Sequence, residues 1–486
     1  MSANPTNLLI IMSDEHSRKV LGCYGNDLVK TPNLDKLAAR GTLFTDAYTP
    51  CPICVPARAS FATGLYGHAT GHWDNATPYI GDPHSWGHRL QENGNLVGSI
   101  GKLHYRNPDD PTGFNFQEVP MHLNDGVGDV LGSVREPLPR RWKARTMAEK
   151  IGPGESGYTK YDRQITEAAV DWLGEHGGRT ADKPWTLFVS FVAPHFPLIA
   201  PEEFYALYDA SGRMPSKDAD DPEHPWLAAL RECFVYDNFT DETTRIALAS
   251  YYGLVSFLDS NVGRVLAALD DAGQTETTRV VYVSDHGDNM GERQLWGKSV
   301  MFEESVGIPA IIAGPGIPDG RIHRSPVSLT DIYPTVVEAM GLGDDGQDRP
   351  GRSLIDLANA IDDPERMIFS EYHAAGAVSG AFMIRRGRWK YIHYAGMTPQ
   401  LYDLLDDPEE CRDLGADEDY AEVCDALYAE LRLICDPDEV DRDAKATQAA
   451  IIEKHGGRDA VVAKGGFGGT PAPGETAVFE GGPAPS

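Results

Sequence analysis

Carboxylates, imidazoles and amines recur in this sequence directly after short apolar runs. Residues 8–12 lead into Ser13-Asp14-Glu15-His16, residues 96–100 into Gly101-Lys102-Leu103-His104, residues 185–192 into Ala193-Pro194-His195, and residues 279–283 into Ser284-Asp285-His286-Gly287-Asp288. Asp14, Asp285 and His286 together make an oxygen-rich donor set, which suits Ca²⁺, Mn²⁺ or Mg²⁺ better than a thiolate zinc site. Lys102 and His104 are two apart and face the same way on an extended backbone. A cation beside a titratable imidazole suits charge neutralisation and proton transfer. Trp296-Gly297-Lys298 adds another amine. Glu15 is either a further ligand or a group that orients one. Asn75 either hydrogen-bonds a substrate oxygen or serves a turn.

The remaining chemistry lies in Cys54-Val55-Pro56-Ala57-Arg58-Ala59-Ser60-Phe61-Ala62-Thr63-Gly64. Pro56 suits a first helical turn, and Gly64 suits a stop. Cys54 is then expected at a helix N-terminus, where free N–H groups and the helix dipole favour anions. Arg58, one turn on, brings a permanent positive charge to the same side. Cys51-Pro52-Ile53-Cys54 also spells C-x-x-C, a redox or zinc pattern. No second C-x-x-C exists to complete a zinc site.

These side chains need a scaffold that gathers them. Wholly apolar runs such as Leu8-Leu9-Ile10-Ile11-Met12 read as buried parallel strands. In open α/β sheets ligands collect at the carboxyl ends of such strands, which is where Asp14, Lys102, His104, His195 and Asp285 fall. Helices are expected over 31–41, 161–176 and 241–271. Residues 108–160, rich in Pro, Gly and charge, read as an irregular excursion that can cover the site. Residues 381–385, 389–393 and 401–404 read as antiparallel strands, followed by a helix over 420–435. The expected class is α/β: a central, mostly parallel sheet flanked by helices, with a smaller C-terminal α+β subdomain. Residues 1–370 are expected to form the catalytic domain, 371–440 the subdomain, and 441–486 a helix and tail. From Gly465 the chain is rich in Gly, Pro and Ala and is expected to be solvated or to pack on a neighbouring subunit.

The 486 residues include 43 basic and 73 acidic side chains, a net charge of −30. That balance argues against nucleic acid or an anionic membrane as partner and makes local basic clusters more telling. Seven cysteines, an odd number, do not form a disulfide framework. The N-terminus lacks a basic region and a long apolar run, so no signal peptide is read and a cytoplasmic location is expected.

The Cys54-x-Pro56-x-Arg58 run, with Thr63-Gly64 after it, closely resembles the signature of type I, formylglycine-dependent sulfatases of the alkaline-phosphatase-like superfamily. Asp285-His286-Gly287-Asp288, Gly291-Glu292 and Trp296-Gly297-Lys298 resemble that family's second metal segment, above all in its choline-sulfatase and phosphonate monoester hydrolase branch. The resemblance runs from about residue 7 to about residue 415. It implies that a formylglycine-generating enzyme oxidises Cys54 to formylglycine, whose hydrate is the nucleophile. It implies one divalent cation, Ca²⁺ or Mn²⁺ ahead of Mg²⁺, held by Asp14, residue 54, Asp285 and His286. Lys102 and His104 match a Lys-x-His of the family, and His195 or Lys298 is the implied proton donor. The expected substrate is a small aryl or alkyl sulfate monoester. The alternatives are a phosphonate monoester or phosphodiester at the same site, a non-catalytic anion-binding descendant, and a thiol oxidoreductase using Cys51 and Cys54. A homo-oligomer is expected.

Overall fold

The unbroken apolar runs become the middle of one sheet. The structure is a computed structural model, and it describes residues 5–176, 183–208, 214–219, 223–343 and 345–479. Eight strands form the main sheet: β1 (Asn7–Asp14), β2 (Gly41–Phe44), β3 (Val97–Lys102), β4 (Phe116–Met121), β5 (Thr186–Pro194), β6 (Thr278–Ser284), β7 (Ala310–Ala313) and β8 (Arg321–His323). Their order across the sheet is β8-β2-β7-β6-β1-β5-β3-β4. From β6 to β4 all neighbours are parallel, while β7 runs antiparallel to both β6 and β2. β5 and β6 are buried along their whole length, as strands covered on both faces must be.

Alternation along β1 assigns the two faces. Leu8, Ile10 and Met12 pack in one cluster with Phe61 of α2 (Cys54–Thr63) and Val336 of a helix at Ile332–Ala339. Leu9 and Ile11 pack in the other with Leu34 of α1 (Pro32–Ala39), Ile165 of α3 (Gly157–His176) and Val262 of α4 (Asp241–Asp271). The 31-residue span of α4 coincides with the expected helix. Behind the sheet, Ile368–Tyr372, Ala381–Arg386, Trp389–Tyr394 and Gln400–Asp403 form a four-stranded antiparallel sheet in chain order, with the helix Ala421–Ile434 on it. No helix among the described residues is long and apolar enough to cross a membrane.

Two expectations are corrected. The stretch 108–160 is not wholly irregular, because Phe116–Met121 supplies the sheet's edge strand. The Gly/Pro-rich tail is not solvated throughout: Thr470 and Ala472 are buried against this same chain.

A buried ion network ties the small sheet to the segment that follows Lys298 and to the loop after β1. Glu303 accepts from Lys390 Nζ at 2.9 Å, from Tyr48 OH at 3.3 Å and from Arg18. Lys390, on the small sheet, also meets Glu410 at 2.7 Å. Burial works against charge on Glu303, but Lys390 and Arg18 overcome it and hold the carboxyl down to about 2. A carboxyl depressed on folding lends stability above its unfolded pKa of about 4.3 and loses it as pH falls through the folded value. Glu303→Gln is therefore expected to destabilise the chain by about 3–5 kcal/mol near neutrality, since it takes the carboxylate from Arg18 and leaves Lys390 with Glu410 alone. The gap to the parent should close between about pH 4.3 and pH 2. Denaturant titrations across that range measure it.

Candidate active site

Helix α2 begins at Cys54, after Ile53 in extended conformation, and stops at Gly64. Gly64 has φ 69°, and a Cβ there would lie 2.7 Å from Tyr333 Cβ, so only glycine ends the helix in this place. All ten residues of α2 are buried. Cys54 Sγ lies 3.7 Å from Asp14 Oδ1 and 3.1 Å from His286 Nε2. One ligand atom each from Asp14, Cys54, Asp285 and His286 falls within 4.8 Å of the others. Asp14 ends β1, while Asp285 and His286 follow β6, its parallel neighbour. A separation of hundreds of residues in sequence is thus removed by strand pairing.

Arg58 is fully enclosed. Its Nε donates to Asp285 Oδ2 at 2.8 Å and its Nη2 to Asp14 Oδ2 at 3.2 Å. Its Nη1 donates to the Lys102 carbonyl at 2.8 Å and to Ser190 Oγ at 2.9 Å. Arg58 therefore faces the carboxylates and is not among the residues that line the cavity. Lys102 Nζ also pairs with Asp14. Burial opposes the Asp14 charge, but Lys102 and Arg58 hold its carboxyl well below the usual range.

His286 Nδ1 lies 3.0 Å from the Gly287 carbonyl. That contact favours the tautomer whose Nε2 lone pair faces Cys54 and the carboxylates, as a metal-binding imidazole requires. Two anionic carboxylates and one imidazole so prepared fit a hard divalent cation.

On the other side of Cys54, Lys298 Nζ lies 3.0 Å from Glu15 Oε2 and 2.9 Å from His195 Nε2. His195 Nδ1 is 2.6 Å from the Phe196 carbonyl, so Nδ1 carries the proton and Nε2 accepts from Lys298. Burial and then Lys298 push the His195 pKa well down, and it stays neutral. Asp162 of α3 holds the end of β5 ahead of His195 by accepting the Val192 and Ala193 N–H groups, each at 2.8 Å. Glu15 and His104 have φ 68° and 59°, a backbone state costly for such side chains and concentrated at functional sites. His104 thus reaches the cavity through a turn and not through strand alternation with Lys102. Asn75 Oδ1 accepts the Val55 N–H at 3.2 Å and so braces the start of α2.

A cavity of about 310 Å³ opens over Cys54, with Lys102, His104, His195, Lys298 and Asn75 among its lining. Tyr158 and Thr470, also in the lining, escaped the sequence reading. Neither carries a motif signal; only the fold brings them in. Burial and then Asp14 push the Cys54 thiol up to about 12. A reactive redox cysteine needs the opposite shift, which counts against the C-x-x-C alternative.

Residues 6–342 match the sulfatase family model. The chain belongs to the sulfatase family. Its enzyme class is that of the sulfuric ester hydrolases. The model for the C-terminal part of N-sulphoglucosamine sulphohydrolase matches residues 291–436. The sulfatase chain is 33% identical to a choline-sulfatase of Rhizobium meliloti (strain 1021) over 85% of its own length and 83% of the relative's. It is 31% identical to arylsulfatase K of Danio rerio over 88% and 84%. A solved phosphonate monoester hydrolase of Agrobacterium radiobacter superposes with TM-score 0.72 at 26% identity, over 88% of this chain and 95% of that one.

Because Arg58 is the shared partner of two buried carboxylates, Arg58→Met is expected to lower unfolding stability by about 3–5 kcal/mol. A shift below about 1 kcal/mol in a denaturant titration would contradict that pairing.

Proposed function

We propose that this sulfatase cleaves small aryl or alkyl sulfate monoesters, with residue 54 in its formylglycine form and one divalent cation held by Asp14, Asp285 and His286. The reading is carried by one observation: Cys54 at a buried helix start lies among those three donors, within 4.8 Å. The signature around Cys54 and the names of the relatives support it from the sequence side. When bound, the cation supplies Lewis-acid neutralisation of anionic oxygens, and formylglycine hydrate supplies a hydroxyl nucleophile.

The chain's own residues do the rest. A sulfate monoester resists attack because its oxygens repel nucleophiles, so fixed positive charge must face them. Lys102 and Lys298 bring ammonium groups to the cavity in a chain that is otherwise strongly acidic. Burial acts against charge on Lys298, but the carboxylates of Glu15, at 3.0 Å, and of Asp14 keep the amine protonated. Lys298 and neutral His195 share a hydrogen bond, so the pair delivers a proton to the departing alkoxide from Lys298 Nζ and redistributes charge through His195 Nε2. His104, also held neutral by burial and by Lys102 and Arg58, accepts a proton at Nδ1. Asn75 fixes the helix start that carries residue 54.

Hydrolysis of phosphonate monoesters or phosphodiesters at the same site is the second reading. The likeness to the Agrobacterium phosphonate monoester hydrolase favours it; the Lys102 and His104 pair favours sulfate. Ratios of kcat/KM for matched aryl sulfate and aryl phosphonate esters separate the two. The maturation step implies a formylglycine-generating enzyme as partner, and seven free cysteines suit a cytoplasmic setting.

Cys54→Ala is expected to reduce sulfate-ester turnover by at least about 10⁴-fold while cooperative unfolding persists. Peptide mass spectrometry across residue 54 of the parent should find an aldehyde or its hydrate in place of the thiol. Near-normal turnover in the variant would overturn the assignment. Chelation with EDTA should abolish activity, with recovery on adding back Ca²⁺ or Mn²⁺.

A further inference from the structure

The outer wall of the cavity is built by the far end of the chain. After the helix Gly457–Lys464 the backbone returns across the active site, and Phe467, Gly469, Thr470 and Glu475 line the cavity that also contains Cys54. Thr470 is 6% exposed. Its hydroxyl lies 2.7 Å from His104 Nε2, and its carbonyl accepts from the Tyr158 hydroxyl. At Gly469 the tail passes so close that a Cβ there would stand 3.1 Å from the Tyr158 hydroxyl and 3.7 Å from His195 Cε1. Further on, the Glu475 carboxylate lies against Gly157, where a Cβ would be 2.2 Å from Oε1. Gly157 opens the 20-residue helix α3, whose N-terminal dipole favours that negative charge.

We propose that the tail from Gly465 to residue 479 is a specificity-determining wall of this site, and that Thr470 is a positioning residue for His104. The inference rests on the sulfatase reading above and deepens it. The sulfate end of an ester must sit by Cys54, Lys102 and Lys298, so the alcohol end extends toward the tail. A space of about 310 Å³ is at the small end of ligand cavities, and the tail is what makes it small. The wall therefore selects compact alcohols, single-ring aryl or short alkyl, and excludes polycyclic ones. Thr470 occupies Nε2 of His104, and Nδ1 is buried with no hydrogen-bond partner among the described residues. One hydroxyl from the tail thus fixes the ring and leaves the other nitrogen for the substrate.

The test uses full-length variants and two substrates, 4-nitrophenyl sulfate and a four-ring steroid aryl sulfate. The double variant Thr470→Gly with Glu475→Gly removes both side-chain contacts of the tail. It should raise the ratio of kcat/KM for the steroid ester to that for the nitrophenyl ester by at least about tenfold. Thr470→Val keeps the wall and removes the hydroxyl; it should lower kcat for both esters by about tenfold with KM nearly unchanged, and Thr470→Ser should restore the rate. Thermal unfolding of each variant checks folding. A ratio that stays within about twofold in the folded double variant overturns the wall, and an unchanged kcat in Thr470→Val overturns the positioning role. If the parent hydrolyses neither ester, the sulfatase reading fails and takes this one with it, an outcome distinct from turnover with an unmoved ratio.

Discussion

One guanidinium ties four neighbouring strands together. Arg58 reaches Asp14 at the end of β1, Asp285 after β6, Ser190 in β5 and the Lys102 carbonyl at the end of β3. Carboxylates with no solvent around them are costly unless a fixed cation shares the space. Arginine suits the role better than lysine, since its planar fork engages several acceptors at once. Because Arg58 lies one turn into α2, the ion pairs that neutralise the acids also dock the helix that begins at Cys54. Stability and the placing of residue 54 thereby depend on the same contacts.

Other ties surround this knot. Asp74, next to Asn75, accepts from Ser133 Oγ at 2.7 Å and Gln448 Nε2 at 2.8 Å, and Gln448 also donates to the His373 carbonyl. Through Asn75 this network reaches the Val55 N–H. The helix Pro437–Lys454, far along the chain, thus supports the loop that steadies α2. The Glu303 network does the same for the segment after Lys298. The small sheet buttresses the site through polar chains as well as apolar packing.

Much of this was legible in the sequence, and for physical reasons. Strands buried on both faces are written as unbroken apolar runs, so β1, β5 and β6 and the polar residues that end them could be read directly. Pro56 and Gly64 mark the two ends of α2. Helix α4 follows from its periodicity and the glycine after it. The edge strand Phe116–Met121 was missed because it is only partly buried and its pattern lacks a clear alternation. The inward direction of Arg58 was missed because its partners lie on strands whose neighbours are set by topology. Tyr158 and Thr470 were missed because their value is positional. A Gly/Pro-rich composition signals the absence of regular structure, not the absence of a fixed course. His104 was expected in the cavity by alternation and arrives there through a left-handed turn instead.

The enclosure of α2 bears on the order of events in the life of the molecule. Cys54 is 2% exposed, and every residue of its helix is buried. On the proposed reading, a modifying enzyme would reach this side chain in the folded molecule only through the cavity of about 310 Å³, too narrow for another protein. The modification proposed for Cys54 is therefore expected on the extended segment, before the chain collapses. Recognition at that moment would have only neighbouring residues to read, which fits a proposed chemistry at position 54 that is marked by one contiguous run, whereas its partners are scattered along the chain.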